Sequence, residues 1–193
     1  MKTPAAIRTV EDLIARLDEV VDSDCDSNRC DGVKDVLRNA CLDTENLLDA
    51  SFLAPSSAGY ARRLLHKDPK DRYAVLVMVW DGHQGTPLHD HGGRWCVECV
   101  YRGRIRVHSY SRIANHDTGA GLWDFKPEES VIAGKGEAGK LIPPFDYHVL
   151  ENPDPHAAVT IHVYGGELHQ CTTFEPQETG GWSPVTSHMS YTD

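Results

Sequence analysis

YAVLVMVWDGHQGTPLHDHGGRWCVECVYRGRIRVHSY, from Tyr73 to Tyr110, contains three runs rich in β-branched and aromatic residues, 73–80, 95–101 and 105–110, separated by Gly, Pro, Asp and His. Runs of that composition and length are strands, and the residues between them form turns. No apolar period of three and four residues lies between them, which argues against a parallel α/β sheet, because neighbouring parallel strands need a long crossover. The pattern continues downstream at 139–142, 147–150, 157–164 and 171–174. Many short strands at regular spacing predict a β-sandwich or barrel.

Upstream the period changes. Val10, Leu13, Ile14, Leu17, Val20 and Val21 recur at helical spacing, with Thr9 ahead of them as an N-cap. Val33, Val36, Leu37 and Cys41 form a second apolar face, and a short segment around Leu47 and Leu48 ends before Pro55. Helices are therefore expected over about 9–53 and the barrel over about 60–175, as one domain spanning 1–193. No internal repeat is present.

The chain has 19 basic and 29 acidic residues, a formal charge of −10, so its surface repels phosphate backbones and anionic lipids. Neither nucleic acid nor a membrane is an expected partner, and no obligate protein partner is evident. No stretch approaches the roughly 20 apolar residues of a membrane span, and 1–10 lacks the apolar core of a signal peptide. The expected location is the cytoplasm. In that reducing compartment the even count of six cysteines, Cys25, Cys30, Cys41, Cys96, Cys99 and Cys171, is weak evidence for disulfides, and Cys25 and Cys30, in an Asp-rich turn, read as two free thiols.

His89-Asp90-His91 carries the strongest local signal. On a strand, residues two apart face the same side, so both imidazoles can meet one ion while Asp90 points away. A third histidine, His148, leaves a Pro143-Pro144 turn and is followed by Asn152; Gly103 follows the strand after His-x-His. In this order the sequence resembles the two cupin motifs, which implies a mainly β, cupin-type β-barrel (double-stranded β-helix, or jelly roll) with an N-terminal helical segment. Two positions depart from the motifs: Phe145 replaces a glycine, and Cys96 replaces the glutamate that commonly completes the metal site. Glu98 lies two residues beyond that position and is not read as a ligand. Three neutral imidazoles leave the charge of a divalent ion unbalanced, which favours an anionic ligand such as a thiolate.

Over 60–174 the residues resemble the cysteine dioxygenase family of thiol dioxygenases. His89, His91 and His148 match its three Fe(II) ligands. Tyr60 and Arg62 match its Tyr-x-Arg, whose guanidinium binds the substrate carboxylate, and Trp80 matches a pocket-wall tryptophan. Thr160, His162 and Tyr164 match the Ser-x-His-x-Tyr relay, with Thr160 for serine. Cys96 falls where animal-type members carry a cysteine thioether-linked to that tyrosine, so a Cys96–Tyr164 cross-link is implied. The resemblance implies a small thiol and O2 as substrates, with L-cysteine oxidised to its sulfinate.

Departures keep other substrates open. Gly165-Gly166 resembles bacterial relatives that oxidise 3-mercaptopropionate, although those carry glutamine at the position of Arg62. Arg94 and Trp95 read as a bulky, basic lip able to take the second carboxylate of mercaptosuccinate. From a different class, a metal-binding cupin without turnover, acting as a sensor, also stays open.

Overall fold

The computed structural model describes residues 6–23, 25–113, 121–178 and 180–193; the start of the stretch read for a signal peptide, 1–5, lies outside them. Helix α1, Val10–Val20, begins at a capping box: Thr9 Oγ1 accepts from the Asp12 N–H, and Asp12 Oδ2 accepts from the Thr9 N–H, each at 3.1 Å. Helix α2 spans Asp26–Asp43 with Cys25 as its N-cap. The Cys25–Cys30 segment is thus the first turn of a helix, not the Asp-rich turn expected. Its composition is poorly helix-forming, and burial of Cys30, Val33, Leu37, Ala40 and Cys41 against the sheet drives it into helix. Gly32 sits where a Cβ would come within 3.0 Å of Val20 Cβ, so the absent side chain lets α1 and α2 approach. The third helical segment is a short 3-10 turn, Ala50–Leu53, just after Leu47 and Leu48.

Eleven strands follow: β1 Ala61–Lys67, β2 Ala74–Trp80, β3 Leu88–His89, β4 Cys96–Arg102, β5 Arg104–Arg112, β6 Phe125–Gly134, β7 Ala138–Leu141, β8 Tyr147–Glu151, β9 Ala158–Tyr164, β10 Gln170–Pro176 and β11 Trp182–His188. They form two antiparallel sheets, ordered β1-β2-β9-β4-β7 and β11-β10-β3-β8-β5-β6. The fold is mainly β, a double-stranded β-helix with two helices on its outside. Each predicted strand is present; β1, the two-residue β3, β6 and β11 add to them, and the second sheet continues past the expected end near 175.

The five-stranded sheet is covered on both faces. Tyr73, Val75, Val77, Val97, Cys99, Tyr101, Val159, Ile161 and Val163 pack under the helices, while Ala74, Leu76, Met78, Trp80, Cys96, Val100, Ala158 and Tyr164 face the second sheet. Double coverage explains why β2 reads as an unbroken apolar run rather than an alternating one. Tyr101 ties the layers together: its hydroxyl donates to Glu45 O at 2.6 Å and accepts from the Leu47 N–H at 3.0 Å. At the tight β4–β5 turn, Gly103 has φ +73° and passes so close to Ala158 that a Cβ would lie 3.0 Å from that residue's Cβ.

Candidate active site

Strand alternation turns one residue in two of β2, β4 and β9 into the space between the sheets, and register aligns them in rows. Ala74, Tyr164, Cys96 and Leu141 form one row; Leu76, His162, Glu98 and Gly139 the next; Met78, Thr160 and Val100 a third. Arg62 on β1 pairs with Met78. From the opposite sheet His89 on β3 pairs directly with His148 on β8. His91 lies just beyond the end of β3, and Asp90 turns away, its Oδ1 accepting from the Gly92 N–H at 3.0 Å and the Thr172 N–H at 2.8 Å.

Ligand atoms of His89, His91 and His148 lie within 4.8 Å of one another, and Nε2 of His89 and Nε2 of His148 are 3.2 Å apart. These three residues can hold a metal ion. The donor set fits one. Burial pushes the His89 imidazole down to about 4 and that of His148 well below its usual range, which favours the neutral rings a cation requires. Their far sides are held as well. His89 Nδ1 is 3.0 Å from Pro87 O, and His91 Nδ1 is 3.3 Å from Asp146 Oδ2, which also accepts from the His91 N–H. A donating Nδ1–H fixes the tautomer and leaves Nε2 free to bind metal. Sequence reading missed Asp146, whose signal was a carboxylate two residues before His148 in the same turn.

The histidines share a cavity of about 340 Å³ with Tyr60, Arg62, Met78, Trp80, His162 and Tyr164, small for a ligand site. Trp80 is fully buried and stacks on Tyr60 with ring centroids 4.6 Å apart. Arg62, 3% exposed, has no carboxylate partner among the described residues. Its Nη2 donates to Leu168 O at 3.0 Å and its Nη1 to Ser190 O at 3.4 Å, the Tyr191 ring lies 5.0 Å from its guanidinium carbon, and its Nε has no partner. A desolvated cation compensated only by carbonyls and a ring face is poised for an anion. Sequence reading did not anticipate the tail, which runs alongside: the Thr192 N–H donates to Arg62 O at 2.7 Å, Thr192 Oγ1 accepts from the Arg62 N–H at 3.0 Å, and 187–190 and Thr192 line the cavity.

A hydrogen-bonded chain runs along β9. The Trp80 indole N–H, a donor only, gives its proton to Thr160 Oγ1 at 2.9 Å; Thr160 Oγ1 is 2.8 Å from His162 Nε2; His162 Nδ1 is 3.5 Å from the Tyr164 hydroxyl. Thr160 thus has its own proton to offer Nε2, which favours the neutral imidazole with its proton on Nδ1, toward the Tyr164 oxygen and Glu98 Oε2. The Tyr164 O–H is then free to donate into the cavity. Burial supports both forms, pushing His162 down to about 3 and the Tyr164 phenol well above its usual value. Cys96 stands directly across from Tyr164 in the strand register, fully buried, its thiol pushed well up by burial and then by Glu98.

Arg94 and Trp95 do not form the expected lip, and neither lines the cavity. Trp95 packs in the helical core with the Arg29 guanidinium 6.0 Å from its ring, and Arg94 donates to Gly165 O. Gly165 and Gly166 accommodate them: a Cβ at Gly165 would lie 2.5 Å from Trp95 Nε1, and one at Gly166 2.3 Å from Arg94 Nη1.

No helix of the described residues is long and apolar enough to cross a membrane. No family model matches the chain. Among solved structures, a protein with a double-stranded β-helix domain from Klebsiella pneumoniae has a TM-score of 0.48 at 15% identity over 64% of this chain and 87% of its own. A Thermus thermophilus protein has a TM-score of 0.46 at 17% identity, over 62% and 96% respectively. Over 178 residues, 92% of this chain and 84% of the relative, the sequence is similar to cysteine dioxygenase type 1 of Danio rerio, at 21% identity.

Proposed function

We propose that this chain is an Fe(II)-dependent thiol dioxygenase that converts a small carboxylate-bearing thiol, L-cysteine first, to its sulfinate. The observation that carries the reading is the pairing, in one small cavity, of a three-histidine cluster with a buried arginine that has no carboxylate partner among the described residues. Such a cavity suits a molecule with a soft metal-binding group at one end and a carboxylate at the other. The similarity to a relative named cysteine dioxygenase supports it.

His89, His91 and His148 would hold Fe(II), which when bound would supply the coordination positions that bring a thiolate and dioxygen together. Arg62 takes the carboxylate as a charge-assisted fork, and the Trp80–Tyr60 stack walls the aliphatic part. Tyr164, oriented through His162 and Thr160, donates its O–H toward the reacting atoms. Both atoms of dioxygen end on sulfur, which supplies the four electrons, so no external reductant is needed. Cys96 and Tyr164 form a thioether during turnover: each side chain loses one hydrogen, and dioxygen accepts the two electrons and two protons as hydrogen peroxide. Mercaptosuccinate loses its anchor, because Arg94 lies outside the cavity.

Oxygen consumption by the Fe(II)-loaded protein tests this proposal. Uptake dependent on cysteine or 3-mercaptopropionate, with one O2 per sulfinate, is expected. Thiol-independent uptake, or none, would point to a metal-binding module without turnover.

A further inference from the structure

Three buried side-chain nitrogen or oxygen atoms lack a hydrogen-bond partner among the described residues: Arg62 Nε, His148 Nδ1 and Glu98 Oε2. The last two are near neighbours. Glu98 Oε1 is 3.8 Å from His148 Nδ1, and Glu98 Oε2 is 3.7 Å from His162 Nδ1. Both separations are only about 0.5–0.8 Å beyond hydrogen-bond range. The side chain is 10% exposed and sits between His162 and Gly139 in its row.

We infer that Glu98 is a positioning residue whose two carboxylate oxygens accept from His148 Nδ1–H and His162 Nδ1–H, locking a metal ligand and the relay histidine to one anchor. This rests on the three-histidine metal reading above. Each ring in the cluster needs a partner behind it to present Nε2 to a metal, and His89 and His91 have theirs in Pro87 O and Asp146. His148 has only Glu98. For His162, the Trp80–Thr160 chain favours the proton on Nδ1, which lies 3.5 Å from the Tyr164 oxygen and 3.7 Å from Glu98 Oε2, so Glu98 shares that donor with Tyr164. Glu98 does not line the Arg62 cavity; it borders a second one, with Val100, Ile105 and Leu150, on the far side of the histidine wall. It therefore touches no substrate there and acts through the two rings.

Zn(II) is a suitable diamagnetic probe for the test, with affinity measured by chelator competition on the full chain. Glu98→Leu removes both acceptors and is expected to weaken Zn(II) binding by about 10- to 100-fold. Glu98→Gln keeps the shape and one acceptor and should fall between, which preserves the test if the leucine variant folds poorly. In imidazole NMR of the Zn(II)-loaded protein, the His148 Nδ1–H signal should shift or broaden in the Glu98 variants, while those of His89 and His91 stay in place as internal controls. Zn(II) affinity of the folded variants within twofold of wild type, or an unmoved His148 signal, overturns the proposal. Neither readout uses a thiol, so absence of thiol-dependent oxygen uptake in the wild type would sink the dioxygenase reading and leave this one standing.

Discussion

Two arginines at opposite ends of the β1–β2 hairpin, Arg62 on β1 and Arg72 in the connecting loop, are held in opposite ways. Arg72 is surrounded by carboxylates: its Nε and Nη2 reach both oxygens of Asp68 at 2.9 Å, Nη1 reaches both oxygens of Asp22 at 3.1 Å, and Nη2 reaches Asp18. Asp18 belongs to α1 and Asp22 follows it, so this cluster fastens α1 to the β1–β2 loop. Arg62 is more deeply buried and, among the described residues, is met by carbonyls and the Tyr191 side chain, with no carboxylate. The contrast is one of charge balance rather than of burial: the compensated arginine completes the fold, whereas the uncompensated one is the proposed anchor for the substrate's carboxylate.

Substitution can break that contrast, and the largest effect belongs to Arg62. Losing its charge-assisted pair with a carboxylate costs on the order of 2–4 kcal/mol in a desolvated pocket. Arg62→Gln should then lower kcat/KM for cysteine by about 30- to 1000-fold, with Tm held or raised. Glutamine still donates to a carboxylate, so 3-mercaptopropionate should lose less. Equal rates for wild type and variant would show that the carboxylate is held elsewhere.

Arg72→Ala should do the reverse. It leaves the buried Asp68 unpaired, at a cost of about 2–4 kcal/mol after allowing for the partly exposed guanidinium, and leaves kcat/KM per folded molecule unchanged. Thermal unfolding and kinetics on the same samples decide it.

The same cluster gives a pH dependence. The Arg72 hydrogen bond holds the Asp68 carboxyl well below the usual carboxylate range, with burial opposing it. Below about pH 4 the unfolded chain therefore binds a proton that the native state does not. The stability is fully present at neutral pH and is lost as pH falls through that range toward the native-state value. Acid titration of wild-type stability should be steeper than that of Arg72→Ala; parallel curves would remove Asp68 from the account.

Tyr191 contributes the smallest effect. Its ring lies against the Arg62 guanidinium while its hydroxyl donates to Glu167 Oε1 at 2.6 Å. A cation–π contact of this kind is worth about 0.5–1 kcal/mol, so Tyr191→Leu should raise KM by roughly two- to fivefold, and Tyr191→Phe should leave it unchanged.

What could be read from the sequence follows the same physics. Strands covered on both faces, such as β2 and β9, announce themselves as apolar runs. Strands β6 and β11 do not, because both lie at edges of the second sheet, where exposed polar residues and Pro127 and Pro184 are tolerated. The histidine spacing was legible because its geometry is local. Asp146 and Glu98 were not, since their distances to the histidines depend on turn shape and cross-strand register. Trp95 was misjudged by one step of alternation: as the residue just ahead of Cys96, it faces the helices instead of the cavity.

That alternation sets how this protein can change. In β9, Thr160, His162 and Tyr164 face the inter-sheet space, while Val159, Ile161 and Val163 sit beneath the helices. A codon substitution therefore acts on one face and leaves the other in place. A single-codon deletion between Ala158 and Tyr164 is different in kind: it exchanges the two faces for half the strand, moving polar groups under the helices and valines toward the histidines. Lineages of this fold should therefore change β9 by substitution within each face and tolerate length changes only in the turns that bound it.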